Sequence, residues 1–312
     1  METVLTFERV TKRYGSVTAV SDLSFSVAPG EMFGLIGPDG AGKTTTIRLL
    51  CGLLHPESGA IRVMGHDPVK EHARVTTDLG YLSQRFSLYG DLSIDENIAF
   101  FAEIHDLWNY EDRRRRLLEL TNLLPFRTRL AERLSGGMKQ KLALACTLIH
   151  EPRVILLDEP TTGVDPVSRR EFWKLLAEFL DQGITILVST PYLDEAERCH
   201  RVALLHEGRL LSLDTPDRLR KSLPGQMVEA IVADQPRAME RLSADAAIAD
   251  VHVFGERMHV RLKPDVRDAV DAVRTALAGE QVRVARLVPA SLEDVFIAQL
   301  AHADRDTPGA RA

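Results

Sequence analysis

A lysine and a threonine end a glycine-rich segment whose spacing is typical of phosphate binding. The segment is Gly37-Pro38-Asp39-Gly40-Ala41-Gly42-Lys43-Thr44. It fits the pattern G-x-x-x-x-G-K-[ST] and lies between an apolar run and a helical pattern. Glycines let backbone N–H groups close around a phosphate, and the helix N-terminus adds positive potential. We therefore predict a nucleoside triphosphate site, with Lys43 on the β- and γ-phosphates and the Thr44 hydroxyl on Mg²⁺.

Two adjacent carboxylates supply the second half of such a site. Asp158 and Glu159 follow the apolar run Val154–Leu157. Such a run predicts a strand covered on both faces, and Asp158 lies where that strand leaves the sheet. An acid at this edge can help to hold Mg²⁺ beside Thr44, and Glu159 is placed to act on the water that attacks the γ-phosphate. The alternative is an ordinary strand followed by an acidic turn.

A third segment has the features of an anion-binding helix start. It reads Leu134-Ser135-Gly136-Gly137-Met138-Lys139-Gln140. A serine before two glycines at a helix start presents free N–H groups, although alone it would be an ordinary N-cap. The order of the three motifs is more specific than any one of them. Over roughly residues 1–215 the chain resembles the ATP-binding subunits of ABC transporters, and this segment resembles their signature motif.

The resemblance implies roles for further residues. Tyr14 would stack on adenine, and Gln84 would sense Mg²⁺ and the attacking water at the start of the segment that contacts a membrane-spanning partner. Two such subunits, in a homodimer or a heterodimer, would bind two ATP molecules head to tail. The signature motif of one subunit would then meet the γ-phosphate held by Lys43 of the other. The segment Gly163-Val164-Asp165 resembles the loop that touches the opposite subunit.

The predicted site therefore combines nucleotide, metal and catalytic residues. The predicted ATP-binding residues are Tyr14, Gly37, Pro38, Asp39, Gly40, Ala41, Gly42, Lys43, Thr44, Thr45, Ser135, Gly136 and Gly137. The predicted magnesium ligands are Thr44, Gln84 and Asp158, and the predicted catalytic residues are Glu159 and Gln84.

Two positions depart from the family pattern. Pro191 occupies the position of a histidine that would hydrogen-bond the γ-phosphate, and it offers neither an imidazole nor an N–H group. Loss of one preorganised donor typically costs on the order of 10²–10³ in rate, so we expect slow hydrolysis or dependence on a partner subunit. Asp39 replaces a neutral residue, and a carboxylate near phosphates is expected to weaken binding slightly unless it points away.

Composition narrows the class of protein. Apolar residues make up 45% and charged residues 27% of the 312, which is typical of soluble globular chains. No apolar run approaches the roughly 18–20 residues that cross a bilayer, and the N-terminus lacks a signal-peptide pattern. The net charge of −6 argues against a nucleic-acid partner. Cys51, Cys146 and Cys199 form no C-x-x-C pair and indicate reduced thiols. We expect a cytoplasmic protein, located at the cytoplasmic face of the cell membrane through a permease partner.

The predicted fold class is α/β, with a P-loop ATPase core over residues 1–215 and an α-helical insert at about 93–135. The predicted core strands are Val4–Val10, Thr18–Val27, Met32–Ile36, Ala60–Val63, Leu79–Ser83, Val154–Asp158, Ile184–Ser189 and Arg201–Glu207, in a mostly parallel sheet. Residues 221–302 predict a small ferredoxin-like β-α-β-β-α-β domain with one further helix. The tail, residues 303–312, is predicted to be disordered.

The sequence favours one function and leaves two alternatives. The favoured function is an ATPase subunit that powers an exporter whose membrane-spanning protein is a separate chain. One alternative is a regulatory subunit that binds ATP, hydrolyses it poorly and pairs with an active subunit, as Pro191 suggests. The other is a soluble ATPase of the same family that acts on the ribosome or DNA.

Overall fold

A computed structural model describes residues 3–84 and 88–306, with the helical backbone alone for residues 302–306. The chain forms two compact units, the first ending at Leu213 and the second beginning at Asp214. The division lies just before the segment, residues 215–225, in which the sequence changes composition. No helix in the described part of the chain is both long and apolar enough to cross a bilayer.

Three strands of the first unit form a sheet of their own. They are β1 (Leu5–Tyr14), β2 (Val17–Val27) and β4 (Ser58–Val63), in the order β2-β1-β4 with both pairs antiparallel. They are separate from the one mostly parallel sheet that the sequence predicted. The reason lies in the connection, because β1 and β2 are joined by only Gly15 and Ser16. A connection this short can join only antiparallel neighbours.

Six further strands form the parallel sheet that carries the predicted site. They are β3 (Met32–Ile36), β5 (Leu79–Leu82), β6 (Val154–Asp158), β7 (Thr185–Thr190), β8 (Arg201–His206) and β9 (Arg209–Asp214). Their order is β5-β6-β7-β3-β8-β9, and every pair from β5 to β8 is parallel. All residues of β3, β6 and β7 are buried. This burial explains the apolar runs of β3 and β6, and the parallel pairing places the carboxyl ends of all three strands at one edge.

The described part of the first unit contains seven α-helices. They are α1 (Lys43–Leu50), α2 (His72–Asp78), α3 (Ile94–Ile104), α4 (Glu111–Leu120), α5 (Gly136–Leu148), α6 (Pro166–Asp181) and α7 (Leu193–Ala196). The predicted helical insert corresponds to α3, α4 and two short 3-10 turns, with an isolated bridge between Ser93 and Leu130. The sequence analysis did not predict α2 or β9.

Three phenylalanines pack the two sheets of the first unit against each other. Phe7 of β1 stacks on Phe25 of β2 with ring centroids 4.9 Å apart, and Phe25 stacks on Phe33 of β3 at 5.3 Å. All three belong to one buried cluster that extends under α1. Stacked aromatic rings add to the gain from burying apolar surface, so this cluster fixes the base of the phosphate-binding loop.

The second unit has the predicted ferredoxin-like order. After α8 (Pro216–Ser222) it contains β10 (Met227–Val232), α9 (Gln235–Ala244), β11 (Ile248–Phe254), β12 (Arg257–Leu262), α10 (Ala269–Ala276), β13 (Val282–Val288) and α11 (Leu292–Asp306). The antiparallel sheet has the order β11-β12-β10-β13. Helix α11 extends four residues into the tail predicted to be disordered, and the rest of that tail lies outside the described residues.

Ser93→Ala tests the start of α3. The Ser93 hydroxyl accepts a hydrogen bond from the Glu96 N–H at 3.2 Å, and the Glu96 carboxylate accepts one from the Ser93 N–H at 2.7 Å. Loss of such an N-cap costs about 1 kcal/mol, so we expect the substitution to lower the free energy of unfolding by that amount. Both tryptophans, Trp108 and Trp173, lie in the first unit, so their fluorescence in urea measures the change. Ser16→Ala, in an exposed turn, is the control, and an equal effect of the two would contradict the prediction.

Candidate functional site

The glycine-rich loop between β3 and α1 needs glycine at two positions for steric reasons. A Cβ atom at Gly37 would lie 2.3 Å from the carbonyl oxygen of Leu205. Gly42 has φ of 95°, and a Cβ there would lie 2.4 Å from the carbonyl oxygen of Ala19. Only glycine fits a left-handed backbone in such close contact. The loop therefore lies directly against β2 and β8, with Pro38, Asp39 and Gly40 at its exposed tip.

Lys43 is a buried cation at the centre of this loop. Its side chain is 3% exposed, and its Nζ donates hydrogen bonds to the carbonyl oxygens of Gly37 at 2.8 Å and Pro38 at 2.9 Å. The same Nζ lies 3.1 Å from Glu159 Oε1, whose side chain is 7% exposed. Lys43 thus closes the loop and neutralises the predicted catalytic carboxylate. A phosphate in the loop would have to compete with Glu159 for this ammonium group.

Asp158 and Thr44 lie side by side at the edge of the sheet. Asp158 Oδ1 accepts hydrogen bonds from the Thr44 hydroxyl at 3.0 Å and from the Ser189 hydroxyl at 2.8 Å. Burial raises the pKa of Asp158, and the neighbouring charge of Glu159 adds to this effect, while the two hydroxyl donors oppose it. This carboxylate is therefore costly to keep ionised and would gain from a nearby cation.

The donor set at this edge fits Mg²⁺. This ion takes oxygen ligands, usually one or two carboxylates together with phosphate oxygens and water. The hydroxyl of Thr44 and the carboxylate of Asp158 are two such ligands, brought together from α1 and β6. The third predicted ligand, Gln84, donates from Nε2 to Glu159 Oε2 at 3.0 Å. Among the described residues no hydrogen bond joins Gln84 to Thr44 or Asp158.

Glu159 has an uncommon backbone conformation that the neighbouring strand stabilises. Its φ is 48°, in the left-handed region that residues other than glycine seldom adopt. Its N–H group bonds to the carbonyl oxygen of Ser189 at 3.1 Å and to the Ser189 hydroxyl at 3.0 Å. Strained backbone of this kind is concentrated at functional sites. The arrangement directs the Glu159 side chain towards Lys43 and Gln84.

The remaining predicted residues lie apart from this cluster. Tyr14 is 46% exposed at the end of β1, on the hairpin whose strand β2 abuts Gly42. Ser135 is the N-cap of α5, where its hydroxyl accepts a hydrogen bond from the Met138 N–H at 3.3 Å. Within residues 3–84 and 88–306, no hydrogen bond joins Ser135, Gly136 or Gly137 to Lys43. Their predicted ATP contact requires a second subunit, and it stays a prediction.

Gly137 has a structural role that the sequence analysis did not predict. A Cβ there would lie 2.4 Å from the Ser168 hydroxyl, so glycine permits the close approach of α5 to α6. Ser189 was also missed, although it contacts both Asp158 and Glu159. The signal that could have identified Ser189 is its place near the carboxyl end of β7, the parallel neighbour of the strand that ends at Asp158.

Comparison with known proteins agrees with this geometry. A family profile described as "ABC transporter" matches residues 20–162. The chain is 41% identical over 303 residues to the probable multidrug ABC transporter ATP-binding protein YbhF of Escherichia coli (strain K12), covering 95% of this chain and 52% of YbhF. It thus spans about half the length of that relative. It is 37% identical over 302 residues to the Nod factor export ATP-binding protein I of Paraburkholderia xenovorans (strain LB400), covering 95% of this chain and 96% of that protein.

A solved structure gives the same result for the fold. An ATP-binding subunit of an ABC transporter superposes with a TM-score of 0.65 and 32% sequence identity. The match covers 70% of this chain and 93% of the other. These similarities favour the transporter interpretation of the sequence over a role at the ribosome or on DNA.

Asp158→Asn tests both the loss of folding stability caused by the buried carboxylate and its part in Mg²⁺-dependent ATP binding. The pKa of Asp158 is raised in the folded state. At a pH above the raised pKa, such a carboxyl group lowers the free energy of unfolding. This loss of stability disappears as the pH falls through the raised pKa to the ordinary pKa of aspartate. We therefore expect Asp158→Asn to raise the urea midpoint of the unliganded protein at pH 7, with a smaller difference from wild type near pH 4. We also expect the Mg²⁺ dependence of ATP binding to be lost.

The control for that substitution is Asp158→Ala. This change leaves the hydroxyls of Thr44 and Ser189 without their acceptor, so we expect a lower urea midpoint. A destabilised Asp158→Asn variant with normal Mg²⁺-dependent binding would contradict both parts of the prediction.

Proposed function

This chain belongs to the ATP-binding proteins of ABC transporters, and on that basis we propose that it binds and hydrolyses Mg-ATP to power export. The observation that carries this proposal is the convergence of Lys43, Thr44, Gln84, Asp158 and Glu159 at the carboxyl edge of one parallel sheet. This set combines a phosphate-binding cation, a magnesium-type donor pair and a carboxylate able to polarise water.

The contacts suggest how these residues act in sequence. Lys43 exchanges Glu159 for the β- and γ-phosphate oxygens when ATP enters the loop. This exchange frees the Glu159 carboxylate, which remains hydrogen-bonded to Gln84, to orient the attacking water and accept its proton. Thr44 and Asp158 would hold Mg²⁺, which supplies neutralisation of the charge on the phosphate oxygens.

We propose that the complete site forms between two subunits. Lys43 of one subunit would face Ser135–Gly137 of the other, where α5 presents its N-terminal N–H groups. Ser135 and Gly136 are exposed, as such a contact requires. The proposed dimer is either a homodimer of this chain or a heterodimer of this chain and a related one. Tyr14, also exposed, would stack on adenine.

The direction of transport and the location are inferred from the relatives. YbhF is described as a probable multidrug ABC transporter protein, and the Paraburkholderia relative as an export protein. By analogy we propose that this chain serves an exporter and lies at the cytoplasmic face of the cell membrane, bound to a separate permease. Copurification with an integral membrane protein in mild detergent tests this; a complex without such a protein would contradict it.

A specific observation favours a second candidate function. Pro191 follows Thr190, the last residue of β7, at the position where the family pattern has a histidine. Its side chain has no donor for the γ-phosphate. A chain with this substitution could bind ATP, hydrolyse it slowly and regulate a partner subunit whose site is complete.

Glu159→Gln distinguishes hydrolysis from binding. We expect measurable steady-state Mg-ATP hydrolysis by the wild type and none by the variant, because the amide cannot accept the proton of water. We also expect the variant to bind ATP about tenfold more tightly, since Lys43 is released from its ion pair and the charge near the γ-phosphate is removed. Glu178→Gln, on the exposed face of α6, is the control. ATP binding without wild-type turnover would favour the regulatory function instead.

Pro191→His tests whether the missing imidazole limits the rate. If it does, the variant should hydrolyse ATP about tenfold faster than the wild type, a part of the 10²–10³ that one such donor can contribute. Pro191→Ala removes the ring without adding a donor and should leave the rate near the wild-type value. Equal rates for the histidine and alanine variants would show that another group has replaced the histidine.

A further inference from the structure

A buried carboxylate outside the nucleotide site joins the two segments next to Glu159. Glu195, on α7, is 1% exposed. Its Oε1 accepts a hydrogen bond from the Thr161 hydroxyl at 2.6 Å, and its Oε2 accepts one from the Thr190 hydroxyl at 2.6 Å. Thr161 lies on the loop after Glu159, and Thr190 ends β7. The two carboxylate oxygens therefore join the loop after β6 to the end of the neighbouring strand β7.

These contacts are strong enough to fix the loops. Hydrogen bonds to an ionised carboxylate are short and roughly twice as strong as those between neutral groups. Burial of the carboxylate makes their loss expensive, because no water is present to replace them. A third group, the Arg169 guanidinium, lies with its Nε 3.4 Å from Glu195 Oε1 and stacks over the Tyr192 ring at 4.2 Å. Glu195 therefore has a cationic neighbour as well as two hydroxyl donors.

Residues next to the two hydrogen bonds of Glu195 restrain Glu159 from both sides. Ser189, which bonds the Glu159 N–H through its carbonyl and its hydroxyl, is the residue before Thr190. On the other side, Thr161 is two residues after Glu159, and the Thr162 N–H donates to the Glu159 carbonyl oxygen at 3.2 Å. The left-handed φ of Glu159 is unfavourable for this residue type, so surrounding contacts must maintain it. The contacts of Ser189 lie next to the hydrogen bond from Thr190 to Glu195, and the contact of Thr162 lies next to the one from Thr161.

We propose that Glu195 is a positioning residue that keeps the Glu159 carboxylate directed at Lys43 and at the attacking water. It acts through Thr161 and Thr190 and touches neither nucleotide nor water itself. Arg169 lies on α6, whose N-cap is Asp165 at the end of the loop predicted to meet the opposite subunit. Through Arg169 the same carboxylate links that loop to Glu159. The part of this inference that concerns hydrolysis rests on the proposed function, whereas the part that concerns the ion pair does not.

The test is a double-mutant cycle measured by binding, with the non-hydrolysable analogue Mg-AMP-PNP as the probe. Dissociation constants are compared for the wild type, Glu159→Gln, Glu195→Ala and the double variant. If Glu195 keeps Glu159 on Lys43, Glu159→Gln should tighten binding about tenfold in the wild-type background but less than about twofold in the Glu195→Ala background. Equal effects in the two backgrounds, or no effect in either, would overturn the proposal.

Neighbouring substitutions separate positioning from folding. Glu178→Gln, on the exposed face of α6, is again the control and should leave the tenfold effect intact. Glu195→Gln keeps one acceptor oxygen, and its amide can donate to the second threonine hydroxyl, so it should restore most of the coupling. If Glu195→Ala does not fold, Thr161→Val and Thr190→Val each remove one of the two hydrogen bonds and should each reduce the coupling. Coupling that survives in both valine variants would also overturn the proposal.

Steady-state kinetics then tests the hydrolytic part. Glu195→Ala should lower kcat about tenfold or more, because orientation of Glu159 matters in the transition state, and KM for ATP should fall rather than rise, because Lys43 is freed from Glu159. An unchanged kcat with normal wild-type turnover would overturn the positioning role alone. If the wild type shows no turnover but the binding cycle shows coupling, hydrolysis in the proposed function fails and the positioning of Glu159 stands.

Discussion

The buried ion pair between Lys43 and Glu159 is the interaction on which the rest of the site depends. Both side chains are almost inaccessible to water, so each would be costly to leave unpaired. Lys43 also donates to two carbonyl groups of the phosphate-binding loop, and Glu159 also accepts from Gln84. One contact thus links the loop, the predicted catalytic carboxylate and Gln84. A ligand that engages Lys43 must change all three.

The parallel sheet makes this convergence possible. The loop follows β3, Asp158 ends β6 and Ser189 lies at the end of β7, and these strands are neighbours in the sheet. Because parallel strands end at the same edge, residues far apart in sequence reach hydrogen-bonding distance without any irregular excursion of the chain. The aromatic stack of Phe7, Phe25 and Phe33 then joins the antiparallel sheet to the base of the same loop. The order of the strands therefore determines which side chains lie next to one another, and the packing of the core determines the distances between them.

The sequence predicted the parts of this arrangement that depend on local pattern. The glycine loop, the buried strand before Asp158 and the ferredoxin-like order of the second unit each follow from spacing and period. The separate antiparallel sheet was missed although the short connection between β1 and β2 is local, and its third strand, β4, joins through contacts distant in sequence. Gly137 was interpreted only as part of an anion site because nothing local reveals that Ser168 lies against it. Glu195 was missed for the same reason, since its two hydroxyl partners come from other segments.

The two buried carboxylates of the site and the neighbouring Glu195 differ in their partners, and this difference fits the different roles proposed for them. The hydrogen-bond donors to Asp158 are two neutral hydroxyls, so its charge is still available to a cation. Glu159 pairs with Lys43, the group for which a phosphate in the loop would compete, so we expect ligand binding to release it. Glu195 accepts from threonines on two loops, and neither contact involves a group that a nucleotide would displace. The proposed metal-binding, reactive and positioning roles can therefore be told apart by asking which contacts of each carboxylate a nucleotide would compete for.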